Sequence, residues 1–114
     1  GPNYYPSDIE NTKNLLLEKK IEPNIMIDCS HGNSNKIYSN QPIVLDNVIN
    51  QVLNYKKNSS DTNPIIGIML ESNINEGNQK LIKKDLLKKG VSITDACINF
   101  ETTSNIVLKA YDLL

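Results

Sequence analysis

His31 is the only histidine of this 114-residue chain, and it lies directly after a short apolar segment. Residues 24–31 read NIMIDCSH, so the segment ends in an acid, a thiol, a hydroxyl and an imidazole. Two further apolar segments, PIIGIML and VSIT, are followed directly by the carboxylates Glu71 and Asp95. One imidazole and two carboxylates form a ligand set that suits Mn²⁺, Fe²⁺, Co²⁺ or Zn²⁺ better than Ca²⁺. These three residues are therefore candidate metal ligands if the fold brings them together.

The alternation of side chains along the three segments predicts that the candidates meet. Side chains two residues apart lie on the same face of a strand, and each segment has an apolar or small face that ends in one candidate ligand. The carboxyl ends of parallel strands meet at one rim, where parallel α/β folds place their active sites. The three faces are Ile25, Ile27, Cys29 and His31; Ile65, Gly67, Met69 and Glu71; and Val91, Ile93 and Asp95.

Each candidate also has an ordinary structural interpretation. A single histidine at a strand end is more often a hydrogen-bonded structural residue than a ligand. Glu71 is also typical of a loop or helix cap, and Asp95 of a turn. The coincidence of all three at equivalent strand ends favours the metal site. The pattern assigns no fourth ligand. Cys29 and Cys97 are the local candidates, although each is more typical of a small buried side chain.

The remainder of the chain predicts helices between the strands. Ser7 and Glu10 have the spacing of a capping box, and Pro42 suits the first turn of a helix with a broad apolar stripe. Strands that alternate with helices indicate an α/β fold of parallel βαβ units. The predicted order is a helix at 6–20, a strand at 24–31, a helix at 42–57, a strand at 64–72, a short helix near 79–88, a strand at 91–100 and a helix at 102–114.

Three of these segments carry further expectations. Residues 64–72 are apolar on both faces, which is typical of a parallel strand that is covered on both sides. The lysine-rich run KKDLLKK at 83–89 is expected to be a solvated face rather than a substrate clamp. Thr102 or Thr103 is expected to cap the last helix.

The composition argues against several classes of function. The 12 basic residues are balanced by 13 acidic ones, which argues against general electrostatic binding to nucleic acid or to an anionic membrane. No apolar run approaches the ~20 residues that cross a bilayer. Two widely spaced cysteines are not a disulfide scaffold and favour a reducing, cytoplasmic setting. All basic residues are lysines, so the arginine fork that usually clamps phosphate is missing from this chain.

Three long motifs, in this order and at this spacing, resemble one family. They are MIDCSHGNSNK at 26–36, IGIMLESNINEGNQ at 66–79 and GVSITDACINFE at 90–101, and PNYY at 2–5 adds a fourth match. The resemblance is to microbial 3-deoxy-D-arabino-heptulosonate 7-phosphate (DAHP) synthases of the type inhibited by aromatic amino acids. The first two motifs resemble the fungal members of this family. Relatives commonly have Gly-Trp where this chain has Asn99 and Phe100.

The resemblance implies a fold and an activity. Residues 1–114 are expected to be the C-terminal part, about three βα units, of a single (β/α)8 TIM-barrel domain. The whole enzyme condenses phosphoenolpyruvate with erythrose 4-phosphate, the first committed step of the shikimate pathway to aromatic amino acids. The family's metal ligands fall on His31, Glu71 and Asp95, of which His31 and Asp95 are also expected to act in catalysis. A cysteine of the N-terminal part supplies the family's fourth ligand, and the phosphate clamps also lie there.

Further expectations concern assembly and alternatives. The chain alone is expected to be inactive. Because a slice of a barrel leaves unpaired sheet edges, it is expected to pair with another copy, to pair with an upstream fragment, or to re-form an open α/β layer. The full protein is expected to be a cytoplasmic homo-oligomer that an aromatic amino acid inhibits. Two alternatives remain open: another metal-dependent barrel enzyme such as a class II aldolase, or a non-catalytic α/β interaction domain.

Overall fold

Helices and strands alternate along the chain, as the sequence predicts. The computed structural model describes residues 1–114. Three turns of 3₁₀ helix, at His31–Ser34, Tyr38–Asn40 and Lys84–Leu86, lie between the main elements. The main elements are helix α1 (Pro6–Glu18), strand β1 (Ile25–Asp28), helix α2 (Gln41–Lys57), strand β2 (Ile65–Met69) and helix α3 (Phe100–Leu113).

The two strands form a parallel sheet, as expected for a βαβ unit. Ile25 pairs with Ile65, and after one irregularity Asp28 pairs with Met69 at the carboxyl ends. The crossover helix α2 packs on one face of the sheet, so its apolar stripe and the strands share a core. Nine buried residues form this core: Tyr4, Ile9, Ile27, Cys29, Val44, Leu45, Val48, Ile49 and Ile65.

The other face of the sheet is uncovered. Met26 is 64% exposed and Met69 40% exposed. The Met26 side chain lies over Gly67, where an added Cβ would be 3.3 Å from its Cε atom. The prediction that residues 64–72 are covered on both sides is therefore wrong for this chain by itself, because only the α2 face has a neighbouring layer.

The predicted third strand at 91–100 does not form. Its backbone makes isolated bridges with the segment after β2 instead, at Ser72 with Ile98 and at Asn78 with Ser92. The Gln79 side chain also donates a hydrogen bond from Nε2 to the Val91 carbonyl at 3.0 Å. A strand needs a continuous partner on at least one side, and the irregular loop occupies the backbone groups that would form its ladder.

Three local predictions were also wrong, and three were confirmed. Only Lys84–Leu86 turns within the predicted helix at 79–88, while the lysine run at 83–89 is largely exposed as expected. Pro42 lies in the first turn of α2 as predicted, and Cys29 and Cys97 are both buried as expected of small core side chains. The two predicted caps differ from the observed ones.

The observed caps come from Asp8 and Asn99 instead. The Asp8 carboxylate accepts the Tyr5 backbone N–H at 3.2 Å, so α1 does not use Ser7 and Glu10. The Asn99 side chain accepts a hydrogen bond from the backbone N–H of Thr102 at 2.8 Å and caps α3. The helix therefore begins at Phe100, two residues before its predicted start. None of the helices is both long and apolar enough to cross a membrane.

Candidate metal centre

His31 is placed by an unusual backbone conformation at the end of β1. The strand stops at Asp28, and the chain turns into the 3₁₀ helix His31–Ser34. His31 itself has φ = 45°, in the left-handed region that residues other than glycine rarely adopt. Such strain costs about 1–3 kcal/mol and is typically concentrated at functional sites. The turn directs the imidazole towards the rim of the sheet.

Asp28 orients the imidazole ring. Its Oδ2 atom lies 2.7 Å from His31 Nδ1, and Ser30 Oγ lies 2.9 Å from the same nitrogen. An ionised carboxylate only accepts hydrogen bonds, so Nδ1 carries the proton in the neutral ring and Nε2 presents its lone pair. This carboxylate–imidazole arrangement is the one that metal-binding histidines use.

Asp28 is itself held in its ionised form. Ser30 donates to Asp28 Oδ1 from its backbone N–H at 2.8 Å and from its hydroxyl at 2.6 Å. Burial alone would raise the pKa of Asp28, but the hydrogen bonds from Ser30 and His31 outweigh burial and lower the pKa below its usual value. Asn33 Nδ2 also donates to the Asp28 carbonyl at 2.8 Å, which fixes the turn.

Glu71 and Asp95 reach the free nitrogen of His31 from two other segments. Glu71 lies just beyond β2, and its Oε1 atom is 3.3 Å from His31 Nε2. Asp95 lies in the irregular segment before α3, and its Oδ2 atom is 3.2 Å from the same nitrogen. Asn78 Nδ2 donates to the Thr94 carbonyl at 3.0 Å and so ties the Asp95 segment to the loop after β2.

The three side chains form a group that fits a divalent cation. One ligand atom from each of His31, Glu71 and Asp95 lies within 4.8 Å of the others. Ligands of an ion at about 2.1 Å are about 3.0–3.4 Å apart in octahedral or tetrahedral geometry, close to the two distances at Nε2. The hydrogen bond to Asp28 and then the charges of Glu71 and Asp28 raise the pKa of His31, so the site attracts positive charge.

The two cysteines lie outside this group. Cys29 has no exposed surface and packs in the core, and burial followed by the Asp28 charge raises the pKa of its thiol to about 12. Of the two interpretations of Cys29, the structure supports the small buried side chain rather than the fourth ligand, because its thiol faces the core and its raised pKa keeps it protonated. Cys97 Sγ donates to the Asp95 carbonyl at 3.5 Å, and burial raises its pKa.

A polar cavity of about 210 Å³ opens beside the three ligands. Lys36 and Tyr38 from the turn after β1, Asn78 from the loop after β2 and Gln41 from α2 contribute to its wall. Sequence reasoning did not single out these residues. Asp28 was also missed, although its position three residues before the only histidine was a usable signal.

Comparison with known proteins identifies the family. A sequence profile described as the DAHP synthetase I family matches residues 1–108. The chain belongs to the DAHP synthetase I family. Over 108 residues it is 47% identical to the Tyr-sensitive phospho-2-dehydro-3-deoxyheptonate aldolase of Enterobacter agglomerans, covering 94% of this chain and 48% of that protein. It is 41% identical to the phenylalanine-inhibited aldolase of Saccharomyces cerevisiae, covering 94% of this chain and 29% of that protein.

The fold agrees with this family. The structure of phospho-2-dehydro-3-deoxyheptonate aldolase from Francisella tularensis SCHU S4 superimposes with a TM-score of 0.86 at 36% sequence identity, covering 99% of this chain and 31% of that one. The aldolase name and DAHP synthase denote the same enzyme, so the family resemblance of the sequence motifs is confirmed. The chain spans half or less of the length of these relatives.

Proposed function

We propose that this chain supplies the metal-binding rim of a DAHP synthase, which joins phosphoenolpyruvate to erythrose 4-phosphate. The observation that carries the proposal is the meeting of His31, Glu71 and Asp95 at the ends of three separate segments. Family membership supports the same reaction, since the matching relatives are named for it. In our proposal all three residues are metal ligands, and His31 and Asp95 also act in catalysis.

We propose that residues 1–114 form the C-terminal part of one (β/α)8 barrel. Two parallel strands with their helix on one face, and the superposition on about a third of a related chain, support this arrangement. The apolar sheet face around Met26 would then point into the barrel, where layers of side chains from the other strands cover it.

The chemistry follows from the donor set. His31, Glu71 and Asp95 would hold a divalent ion such as Mn²⁺, Fe²⁺, Co²⁺ or Zn²⁺, which would supply Lewis acidity towards the aldehyde oxygen of erythrose 4-phosphate. His31 contributes Nε2 as a neutral ligand while Asp28 holds its Nδ1 proton. Glu71 and Asp95 contribute carboxylate oxygens. The Asp95 side chain is 63% exposed beside the cavity, so its second oxygen can accept a hydrogen bond from a sugar hydroxyl.

The substrate phosphates require groups from outside this chain. Lys36 is the only lysine that lines the cavity, and the chain contains no arginine. We therefore place the fourth metal ligand, a cysteine, and the main phosphate clamps in the part of the enzyme that these residues do not include. The chain alone would be inactive for this reason.

We extend the proposal to regulation and location. Relatives are named Tyr-sensitive or phenylalanine-inhibited, which supports inhibition of the whole protein by an aromatic amino acid. Both cysteines are free thiols, which suits the reducing cytoplasm. A homo-oligomer of the whole protein would bury the apolar surfaces that a barrel still exposes.

The test uses the whole protein that contains this chain. We expect it to release phosphate from phosphoenolpyruvate only when erythrose 4-phosphate and a divalent metal are present, and EDTA to abolish the activity. His31→Ala should weaken Mn²⁺ binding by more than about 100-fold, because it removes a direct ligand. Asp46→Asn is the control, since Asp46 is an exposed carboxylate that pairs with Lys109.

Two results would contradict the proposal. Activity with a different aldehyde acceptor but not with erythrose 4-phosphate would favour another metal-dependent aldolase. A His31→Ala protein that binds Mn²⁺ as tightly as the wild type would favour a non-catalytic interaction domain.

A further inference from the structure

Glu71 lies just beyond the point where the two-stranded sheet ends. Strand β2 ends at Met69, whose carbonyl accepts the Cys29 backbone N–H at 2.9 Å. Beyond this bond β1 leaves the sheet, since its next residues turn towards His31. No strand of this chain therefore continues along Glu71 on the β1 side.

A glutamine side chain replaces the missing strand. Gln41 Nε2 donates to the Glu71 carbonyl at 3.0 Å, and the Glu71 backbone N–H donates to Gln41 Oε1 at 2.8 Å. One planar amide thus pairs with both polar groups of one residue, as the N–H and C=O of a facing residue do in an antiparallel ladder. On the opposite side, the Ile98 backbone N–H donates to the same Glu71 carbonyl at 3.1 Å.

The placement of Gln41 makes this contact rigid. It is the first residue of α2 and has no exposed surface. A buried amide that is satisfied by two backbone groups has few alternative orientations. By contrast, the His31 imidazole is the only basic side chain within 4 Å of the Glu71 carboxylate. The position of that carboxylate therefore depends on its backbone.

We propose that Gln41 is a positioning residue for the metal centre: its side-chain amide fixes the backbone of Glu71 so that the carboxylate meets His31 Nε2. The inference rests on the proposed metal-binding function. Gln41 acts only through Glu71 and contributes no ligand atom. The contact also joins the start of α2 to the end of β2, so the helix that builds the core also sets the geometry of the rim.

The chain contains a matched control for this residue. Gln51 lies on the same helix, is 5% exposed, and donates from Nε2 to the Tyr4 carbonyl at 2.7 Å. It is ten residues beyond Gln41, which corresponds to about 15 Å along the helix axis. Gln41→Met and Gln51→Met thus remove the same kind of buried amide, but only the first touches a candidate ligand.

The experiment measures Mn²⁺ binding by calorimetry on the whole protein and the Co²⁺ absorption spectrum at saturation. We expect Gln41→Met to weaken Mn²⁺ binding by about 10- to 100-fold and to shift the Co²⁺ bands, because Glu71 leaves its position. Gln51→Met should leave both readouts at wild-type values, whatever its effect on the melting temperature. If Gln41→Met fails to fold, Gln41→Asn keeps the polar groups but withdraws them by one methylene, and the same losses are expected.

The outcomes separate the two proposals. A Gln41 variant that binds Mn²⁺ within about twofold of wild type with an unchanged Co²⁺ spectrum overturns the positioning role. A loss equal to that of Gln51→Met also overturns it, since the effect would then be one of general stability. If the wild type itself binds no Mn²⁺, or His31→Ala binds it equally well, the proposed metal-binding function fails instead.

Discussion

At the scale of single residues, the site depends on a few polar contacts around His31. Asp28, Ser30 and Asn33 close the turn that follows β1, and the Asp28 carboxylate accepts the hydrogen bond from Nδ1–H of His31. The left-handed backbone of His31 is stable only because these contacts hold it in place. The imidazole is therefore oriented before any ligand arrives.

Replacing Asp28 tests this orientation. Asp28→Asn removes the negative charge that stabilises the Nδ1 proton, so the ring loses its preference for presenting Nε2. We expect Mn²⁺ binding to weaken by about 10- to 100-fold in calorimetric titration. Asp46→Asn, at an exposed carboxylate, should bind as tightly as the wild type. Equal affinities for both variants would show that Asp28 has no part in orienting the ring.

The three candidate ligands could be predicted from the sequence, but their supporting residues could not. His31, Glu71 and Asp95 each follow an apolar segment, and the rule for parallel rims predicts that such positions meet at one edge. The predicted alternation along strands does not place them, because His31 lies in a 3₁₀ turn and Asp95 in an irregular segment. Gln41 lies thirty residues from Glu71, and no local pattern links a helix-starting glutamine to a backbone that distant in sequence. Contacts of this kind depend on tertiary packing.

At the scale of elements, hydrophobic periodicity identified all three helices and both strands but overestimated the sheet. The segment VSITDACINF alternates like a strand, and its central residue Asp95 does reach His31 at the rim. It remains irregular because a ladder needs a partner strand, and the loop at 71–79 instead binds its backbone at scattered points. Local sequence carries the tendency to extend, whereas the neighbour decides whether a strand forms.

Two glycines in these loops differ in what surrounds them. Gly90 has φ = +72°, and an added Cβ would lie 2.8 Å from Ile74 Cβ, whereas Gly77 has φ = +84° with open space around it. Gly77→Ala should cost about 1–2 kcal/mol for backbone strain alone. Gly90→Ala should lower the free energy of unfolding by about 1–3 kcal/mol more than this, because the added methyl group is crowded by Ile74. Urea unfolding checks the difference, and equal losses would contradict it.

The contact between α1 and the segment before β2 predicts an acid dependence of stability. Lys13 is 7% exposed and binds Asp61 directly, and the hydrogen bond from Lys13 lowers the pKa of Asp61. A lowered folded-state pKa stabilises the fold above the unfolded value of about 3.9, and this stabilisation is lost as the pH falls through the lower, folded value. Melting temperatures should therefore fall at acidic pH.

Asp61→Asn isolates this contribution. The variant should melt lower than the wild type at pH 7, because Lys13 keeps its buried position without its closest counter-charge. The gap in melting temperature should narrow as the pH falls below the unfolded value of about 3.9 and through the lower, folded pKa of Asp61, where the wild-type carboxylate becomes protonated. A constant gap across the pH range would contradict the assignment.

At the scale of the whole molecule, the chain is flatter and more open than a compact domain. Its radius of gyration is 16.6 Å and its extents are 56 × 31 × 19 Å. A compact chain of this length has a radius of gyration of about 13 Å. Its accessible surface is 7769 Å², against about 6,300 Å² expected for 12.8 kDa. The excess is comparable to a protein–protein interface.

This excess predicts that the isolated chain associates. Sedimentation at increasing concentration should reveal dimers or larger species, because apolar area around Met26 is exposed on the sheet. Met26→Lys should weaken association more than Ile43→Lys, which alters an equally exposed apolar side chain on α2. A stable monomer at high concentration would contradict the prediction.

The proposed ligands His31, Glu71 and Asp95 come from three segments that are far apart in the sequence. An ion bound by all three would act as a non-covalent cross-link, which reduces the conformational entropy of the intervening loops much as a staple does. The segment around Asp95 has no continuous strand pairing of its own. The ordering of this segment and the binding of the ion would therefore be coupled in a single equilibrium. Protease sensitivity of the loop at 72–99 would then report metal occupancy.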